Sequence, residues 1–253
     1  MIDAHNHLDF EDFDADRASV VAQAREQGVV GWILAGTHPD TWTRTRTVAT
    51  STGGVALLGV HPGWARDITD WDAVIAELEA AAPPGIGEIG LDRRVDADLD
   101  WQTTGLRAQL ALARALDRPV AFHSVGAYPE HLATVRRDGL PAAGGMIHRW
   151  SGPPDRVPEA MALGLSLSFG LAITNPHAPR QMASARAVTL DRLLIETDCP
   201  DQAPRGLDRT RGAPADLARV AAAVAGARKE DVATVVHATH ANTARLFGLG
   251  SPP

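Results

Sequence analysis

Short apolar runs alternate with longer amphipathic segments from one end of this sequence to the other, and few architectures satisfy that order. Runs of four to six residues have strand length, and a strand repeatedly followed by a helix builds βαβ units on a parallel sheet. The strand candidates are Ile2 to His5, Gly31 to Ala35, Val55 to Val60, Gly85 to Glu88, Pro119 to Phe122, Gly144 to Ile147, Leu165 to Ser168 and Leu193 to Glu196. Between them, apolar residues recur at three- and four-residue spacing over Phe13 to Gln27, Trp71 to Ala82, Trp101 to Leu116 and Asp155 to Leu163. Helices over Ala213 to Ala225 and Lys229 to Phe247 close the chain. Eight such strands predict an α/β fold, a single (β/α)8 TIM-type barrel, whose usual length of about 250 residues matches the 253 here. With no internal repeat, residues 1–253 read as one domain. One insertion-like loop, Cys199 to Gly212, follows the eighth strand, and Gly248 to Pro253 read as a frayed tail.

Composition removes several functions. A formal net charge of −7 leaves no global basic surface to capture phosphates, so any contact with nucleic acid must be local. The lone Cys199 excludes an intramolecular disulfide, and the opening residues lack a signal-peptide pattern, which together predict a cytoplasmic setting. No apolar run approaches the roughly 18 residues of a membrane span; Leu110 to Phe122 is broken by Arg114, Asp117 and Arg118. The expectation is a soluble protein with no membrane partner, and nothing demands more than a monomer.

The densest local signal is Asp3-Ala4-His5-Asn6-His7 at the end of the first strand candidate. Alternate residues of a strand share a side, so His5 and His7 can face one ion, and imidazole is the commonest protein ligand for transition metals. The competing reading is a pair of solvated histidines on an exposed strand. Other polar residues also fall at strand ends: Glu88, His123, His148 and Asp198. In a barrel these ends converge on one face, where catalytic residues of this architecture sit. Any one of them alone is more often a hydrogen-bonded structural residue than a ligand; their agreement favours one polar site.

Taken together, His5-Asn6-His7, Gly59-Val60-His61-Pro62, Gly87-Glu88-Ile89-Gly90-Leu91-Asp92, His123, His148-Arg149-Trp150-Ser151-Gly152 and Glu196-Thr197-Asp198-Cys199-Pro200 resemble the TatD-type metal-dependent hydrolases. The resemblance extends to Asn242-Thr243-Ala244-Arg245-Leu246-Phe247 in the closing helix. It implies a two-metal site in an amidohydrolase-like barrel. His5, His7 and Asp198 would hold one ion, His123 and His148 the second, and Glu88 would bridge them. Two ions roughly 3.5 to 4 Å apart can stabilise both the attacking and the leaving oxygen of a displacement. Asp198 is expected to have a second task, taking a proton from the attacking water through its free oxygen, so that Asp198 and Glu88 are the catalytic carboxylates. The mixed imidazole and carboxylate set accepts Mn, Zn, Fe, Ni or, less comfortably, Mg.

Other residues carry weaker signals. His61, on the same rim, reads as a substrate contact or as a turn histidine fixed by Pro62. Asp92 either orients a ligand or caps a loop, Asp3 satisfies nearby donors, Glu196 and Thr197 support the Asp198 loop, and Cys199 is structural. Many relatives carry a basic residue two positions after the fifth-strand histidine, where this chain has Val125. Arg149 and, in rim loops, Arg93, Arg94, Arg180, Arg205 and Arg209 are the candidates to replace it, because guanidinium suits phosphate oxygens. Trp64 and Trp150 either stack on a base or pack beneath the loops. The resemblance implies a phosphodiesterase, a deoxyribonuclease trimming single-stranded ends, with His61, Arg149 and Trp150 as substrate contacts. The same site fits an esterase or amidase, including a D-aminoacyl-tRNA deacylase, and a third reading is a metal-binding protein without catalysis.

Overall fold

Parallel strands and helices alternate through the computed structural model, which describes residues 1–203 and 210–249. The first half runs β1 (Ile2–Asn6), α1 (Arg17–Glu26), β2 (Gly31–Ala35), α2 (Pro39–Thr52), β3 (Val55–Leu57), α3 (Trp71–Ala81), β4 (Ile86–Asp92) and α4 (Leu99–Ala115). The second half continues with β5 (Val120–Val125), α5 (Tyr128–Asp138), β6 (Gly145–Ile147), α6 (Val157–Ala162), β7 (Leu165–Phe169), α7 (Pro179–Ala187), β8 (Leu193–Ile195), α8 (Leu217–Arg228) and α9 (Val232–Leu246). Strands β1 to β3 form one ladder and β4 to β8 another, all pairs parallel and in chain order. Both seams are closed by backbone hydrogen bonds. At one, the Gly87 amide donates to Leu58 O at 2.9 Å, beside a bridge between Leu58 and Ile86. At the other, just past β8, the Asp198 amide donates to His5 O at 3.0 Å and the His7 amide to Cys199 O at 2.9 Å. The result is the (β/α)8 barrel that the alternation predicts.

Strand periodicity sorts the core into two shells. Ala4, Ile33, Leu57, Ala121, Met146 and Leu194, one from each of six strands, pack together with Phe247 inside the barrel. Their strand neighbours Trp32, Leu34, Phe122, Ile147, Leu193 and Ile195 face outward into the larger core beneath the helices. Leu246 and Phe247, at the end of α9, close the floor: Leu246 lies against Gly144, just before β6. The other end, towards the strand C-termini, is left for polar side chains.

Several boundaries differ from the sequence reading. Strand β4 runs four residues beyond Glu88, because Ile89 to Asp92 pair with Phe122 to Val125 of β5. Only glycine permits this: a Cβ at Gly90 would stand 1.8 Å from His123 O. Glu88 and His123 therefore lie within strands rather than at their ends, and Asp92 ends a strand rather than starting a loop. Strand β3 stops at Leu57 instead of Val60. Helix α1 begins at Arg17 rather than Phe13, since Glu11–Phe13 makes a 3-10 turn and the Arg17 guanidinium is bonded to Leu8 O and Phe10 O. Lys229, at φ +58°, ends α8, so α9 starts only at Val232. Helices α2, α5 and α7 fall in stretches for which the apolar spacing suggests no element. The loop expected from Cys199 to Gly212 and the tail from Gly248 lie partly outside the described residues.

Candidate metal centre

Alternation that puts Ala121, Met146 and Leu194 into the barrel puts the residues two positions further, His123, His148 and Glu196, above them on the same side; Asp198 follows two beyond Glu196. On β1 the pairing with β2 shifts between Asp3 and Asn6, yet both imidazoles of the His-Asn-His run reach the same carboxylates. His5 Nε2 lies 3.3 Å from Glu88 Oε2 and 3.8 Å from Asp198 Oδ1, and His7 Nε2 lies 3.5 and 3.6 Å from the same two atoms. On the other side of Glu88, Oε1 stands 2.6 Å from His123 Nδ1 and 2.8 Å from His148 Nε2. The structure thus gathers His5, His7, Glu88, His123, His148 and Asp198 around one point, with Glu88 in the middle, and all six are buried.

Partners on the far side of each ring fix which nitrogen faces inward. His7 Nδ1 donates to Ala35 O at 3.0 Å, leaving Nε2 towards the cluster. His123 Nε2 donates to Asp92 Oδ2 at 3.0 Å, leaving Nδ1. His148 Nδ1 stands 3.4 Å from Glu196 Oε1, and Glu196 in turn accepts from Ser168 Oγ. A carboxylate behind a ligating histidine orients the ring and increases its basicity. His61 differs: its Nδ1 accepts from the Gly63 amide at 3.0 Å, so the neutral ring carries its proton on Nε2, 3.6 Å from Glu88 Oε1. It faces the cluster as a donor rather than as a ligand.

The donor set fits cations. Glu88, Asp92, Glu196 and Asp198 bring four carboxylates into a buried space, a charge that the interior does not tolerate unpaired. His5 has no hydrogen-bond partner on either ring nitrogen despite complete burial. The separations of 3.3 to 3.8 Å around its Nε2 are long for hydrogen bonds but suit neighbouring ligands of one ion, about 3 to 3.5 Å apart for metal–ligand bonds of about 2.1 Å. His5, His7 and Asp198 form one such group of donors and His5, Glu88 and His148 a second, while His61 reaches Glu88 and His123 with the nitrogen that carries its proton.

Protonation follows the same charges. Burial works against a charge on His7, but Asp198 and Glu88 hold its pKa up at about 9. Burial likewise opposes a charged His148, yet Glu88 and Glu196 keep it well above the usual range, whereas burial and its cationic neighbour His148 lower His5. Burial pushes the Asp198 carboxyl up, but His7, His148, His5 and Arg149 outweigh it and hold it well below the ordinary carboxylate range. Its Oδ2, expected to be free, accepts from Arg149 Nη1 at 3.1 Å and from Gln202 Nε2 at 3.2 Å. Both Arg149 and Asp198 have positive φ, +47° and +53°, backbone that non-glycine residues enter rarely.

Above the cluster lies a cleft of about 320 Å³ whose walls include Phe10, Thr41, His61, Trp64, Arg149 and Asp201. Trp64 is 44% exposed at its lip, while Trp150 is buried against Tyr128 and lines only a neighbouring pocket. Asp3 accepts from the Thr197 amide and hydroxyl and from Asn6, tying β1 to the segment after β8. Cys199 is fully buried, and burial raises its thiol pKa well above the usual value. Arg93 is paired with Glu130, Arg180 is on the exposed surface, and Arg205 and Arg209 lie outside the described residues. Phe10, Thr41 and Gln202 give no sign of their role in the sequence, since neither their type nor their spacing departs from ordinary loop and helix residues. Ser168 is different: it alternates with Ser166 along a strand whose other residues are apolar.

Comparison with known proteins places this geometry. The family model described as TatD related DNase matches residues 2–248. The uncharacterised metal-dependent hydrolase YabD of Bacillus subtilis is 32% identical over 98% of this chain and 99% of its own length. The 3'-5' ssDNA/RNA exonuclease TatD of Klebsiella pneumoniae is 32% identical, with 98% of both chains covered. Among solved structures, the TatD homologue YjjV of Escherichia coli superposes with a TM-score of 0.92 at 30% identity, over 99% of this chain and 98% of that one.

Proposed function

This chain belongs to the TatD related DNase family and is a metal-dependent hydrolase, and on that premise we propose that it cleaves phosphodiester bonds of nucleic acid with two divalent cations. His5, His7 and Asp198 would hold one, His123 and His148 the other, with one Glu88 oxygen towards each. Mn, Zn and Mg are all admissible in this donor set. When bound, the ions make water more acidic and stabilise charge on the attacking and leaving oxygens.

The chain's own residues do the rest. Asp198 turns Oδ1 towards His5 and His7, and Oδ2, held by Arg149, is the oxygen that would take the proton. A phosphate entering the cleft shares that guanidinium and weakens its hold on the oxygen, so substrate arrival prepares the base while Arg149 stays beside Asp198. His61 Nε2–H donates to a phosphate oxygen, and Trp64 offers a face for a base.

The observation that carries this reading is the guanidinium of Arg149 on the rim of a cluster rich in carboxylate and imidazole, a pairing suited to a phosphate rather than to a neutral carbonyl. The exonuclease named among the relatives supports the same substrate class. The test is hydrolysis by protein stripped of metal and reloaded in turn with Mn, Zn and Mg. Metal-dependent cleavage of bis(p-nitrophenyl) phosphate and of single-stranded DNA, absent in Asp198→Asn, is expected. Full metal loading with hydrolysis of carbonyl esters or amides alone would replace this reading with the esterase one.

A further inference from the structure

Beside the cleft lies a second pocket of about 150 Å³, and Arg149 lines both. Its other polar walls are Arg94, Ser151 and Gln181, and its apolar ones include Val125 and Phe169. Arg94 is not a free surface arginine. Its amide donates to Asp92 Oδ1 at 2.7 Å, its Nε to the same atom at 3.3 Å and its Nη2 to Asp92 Oδ2 at 3.2 Å. Asp92 is itself buried and braced against His123, so one edge of the guanidinium is fixed while 64% of the side chain remains exposed. Arg149 is held the same way, one nitrogen on buried Asp198 and 35% of its side chain exposed. Two guanidinium groups, each anchored on a buried carboxylate and each with donors to spare, thus face one pocket that shares Arg149 with the cleft above the metal centre. Anchoring removes part of the entropy lost when a flexible arginine grips an anion.

We propose that Arg94 and Arg149 form a subsite for the phosphate adjacent to the scissile one in a single-stranded nucleic acid, with Val125 and Phe169 against the intervening sugar. The proposal rests on the phosphodiesterase reading of the metal centre. A single strand carries one phosphate per nucleotide, so a strand whose scissile phosphate sits at Glu88 must lay its next phosphate outside the cleft, and Arg149 marks the only cationic boundary between the two spaces among the described residues. It also explains how a chain with Val125 beside its metal centre can hold a polyanion: the charge comes from the end of β4 instead of β5.

The subsite predicts a split between substrates with one phosphate and with several. In Arg94→Gln, KM for a thymidine tetramer should rise about 10-fold relative to any change in KM for bis(p-nitrophenyl) phosphate. Binding of a phosphorothioate-linked tetramer, slow to be cleaved, should show a log Kd against log salt slope shallower by about 0.7, one phosphate contact on a single strand. Equal changes on both substrates with an unchanged slope would make Arg94 a positioning residue acting through Asp92 and His123, and would overturn the subsite. No change on either would overturn it too. If the loaded wild-type protein binds the tetramer with the steeper slope yet cuts neither substrate, the subsite stands and the phosphodiesterase reading falls.

Discussion

Asp92 shows how one side chain serves two functions at once. It accepts from His123 Nε2 and from three donors of Arg94, and His123 and Arg94 outweigh the effect of burial to hold its carboxyl well below the usual range. Asp92→Asn removes the charge behind His123 while keeping the shape, and the expected outcome is a loss of about 10- to 100-fold in metal affinity, read by competition with a chelator. An unchanged affinity would mean that His123 is oriented without Asp92. Protons and cations compete for the same nitrogens. With the His7 pKa raised to about 9, the metal-free site holds a proton there at pH 7, stabilised by Asp198 and Glu88. That stabilisation is lost as pH rises through 9, where the ring gives up its proton to leave a vacant ligand. Metal uptake at pH 7 should therefore release protons, and calorimetry in buffers of different ionisation enthalpy should show an apparent heat that changes with the buffer. A buffer-independent heat contradicts the assignment of His7 as a ligand. Of these residues, the histidines and the two central carboxylates were legible in the sequence because strand spacing and motif order mark them. The engagement of Asp198 Oδ2 by Arg149 and Gln202 was not, since it depends on backbone turns at positive φ that no local pattern announces.

At the level of the elements, strands were easier to read than helices. Buried strands are nearly continuous apolar runs, whereas α2 is threonine-rich and α5 is mostly polar, so their stripes facing the barrel are short. Helix α5 carries one unusual group on that stripe, His131, which is fully buried with its ring edge-on to Phe122 at 4.8 Å. Burial lowers its pKa from 6.5 to about 3. The folded protein keeps this ring neutral, while the unfolded chain takes up a proton below pH 6.5. Its contribution is therefore intact above 6.5 and is lost as pH falls towards 3, by up to about 1.4 kcal/mol per pH unit. Measured on metal-stripped protein, His131→Leu should gain stability relative to wild type as pH falls from 6.5 to 4. Parallel curves for the two proteins would show that His131 is protonated in the fold or solvated before unfolding.

The whole molecule divides its labour between the two ends of the barrel. Phe247 and Leu246 seal the floor against the inner apolar layer, and the carboxylates and imidazoles occupy the other end. The two ends should be separable. Phe247→Ala removes a buried ring far from the cluster, and a loss of about 3 to 5 kcal/mol in unfolding free energy is expected with metal affinity retained. Among the described residues no helix is long and apolar enough to cross a membrane, and the net charge of −7 is countered where it matters by arginines anchored beside the site and by the cations it is built to hold. That local reversal of charge cannot be read from composition, because it depends on which carboxylates the barrel buries together. Anomalous diffraction from crystals loaded with manganese tests the centre directly. Two peaks are expected roughly 3.5 to 4 Å apart, one beside His5, His7 and Asp198 and one beside His123 and His148, with Glu88 between them. A single peak, or two that leave His5 and His7 without a metal, would contradict the two-metal centre.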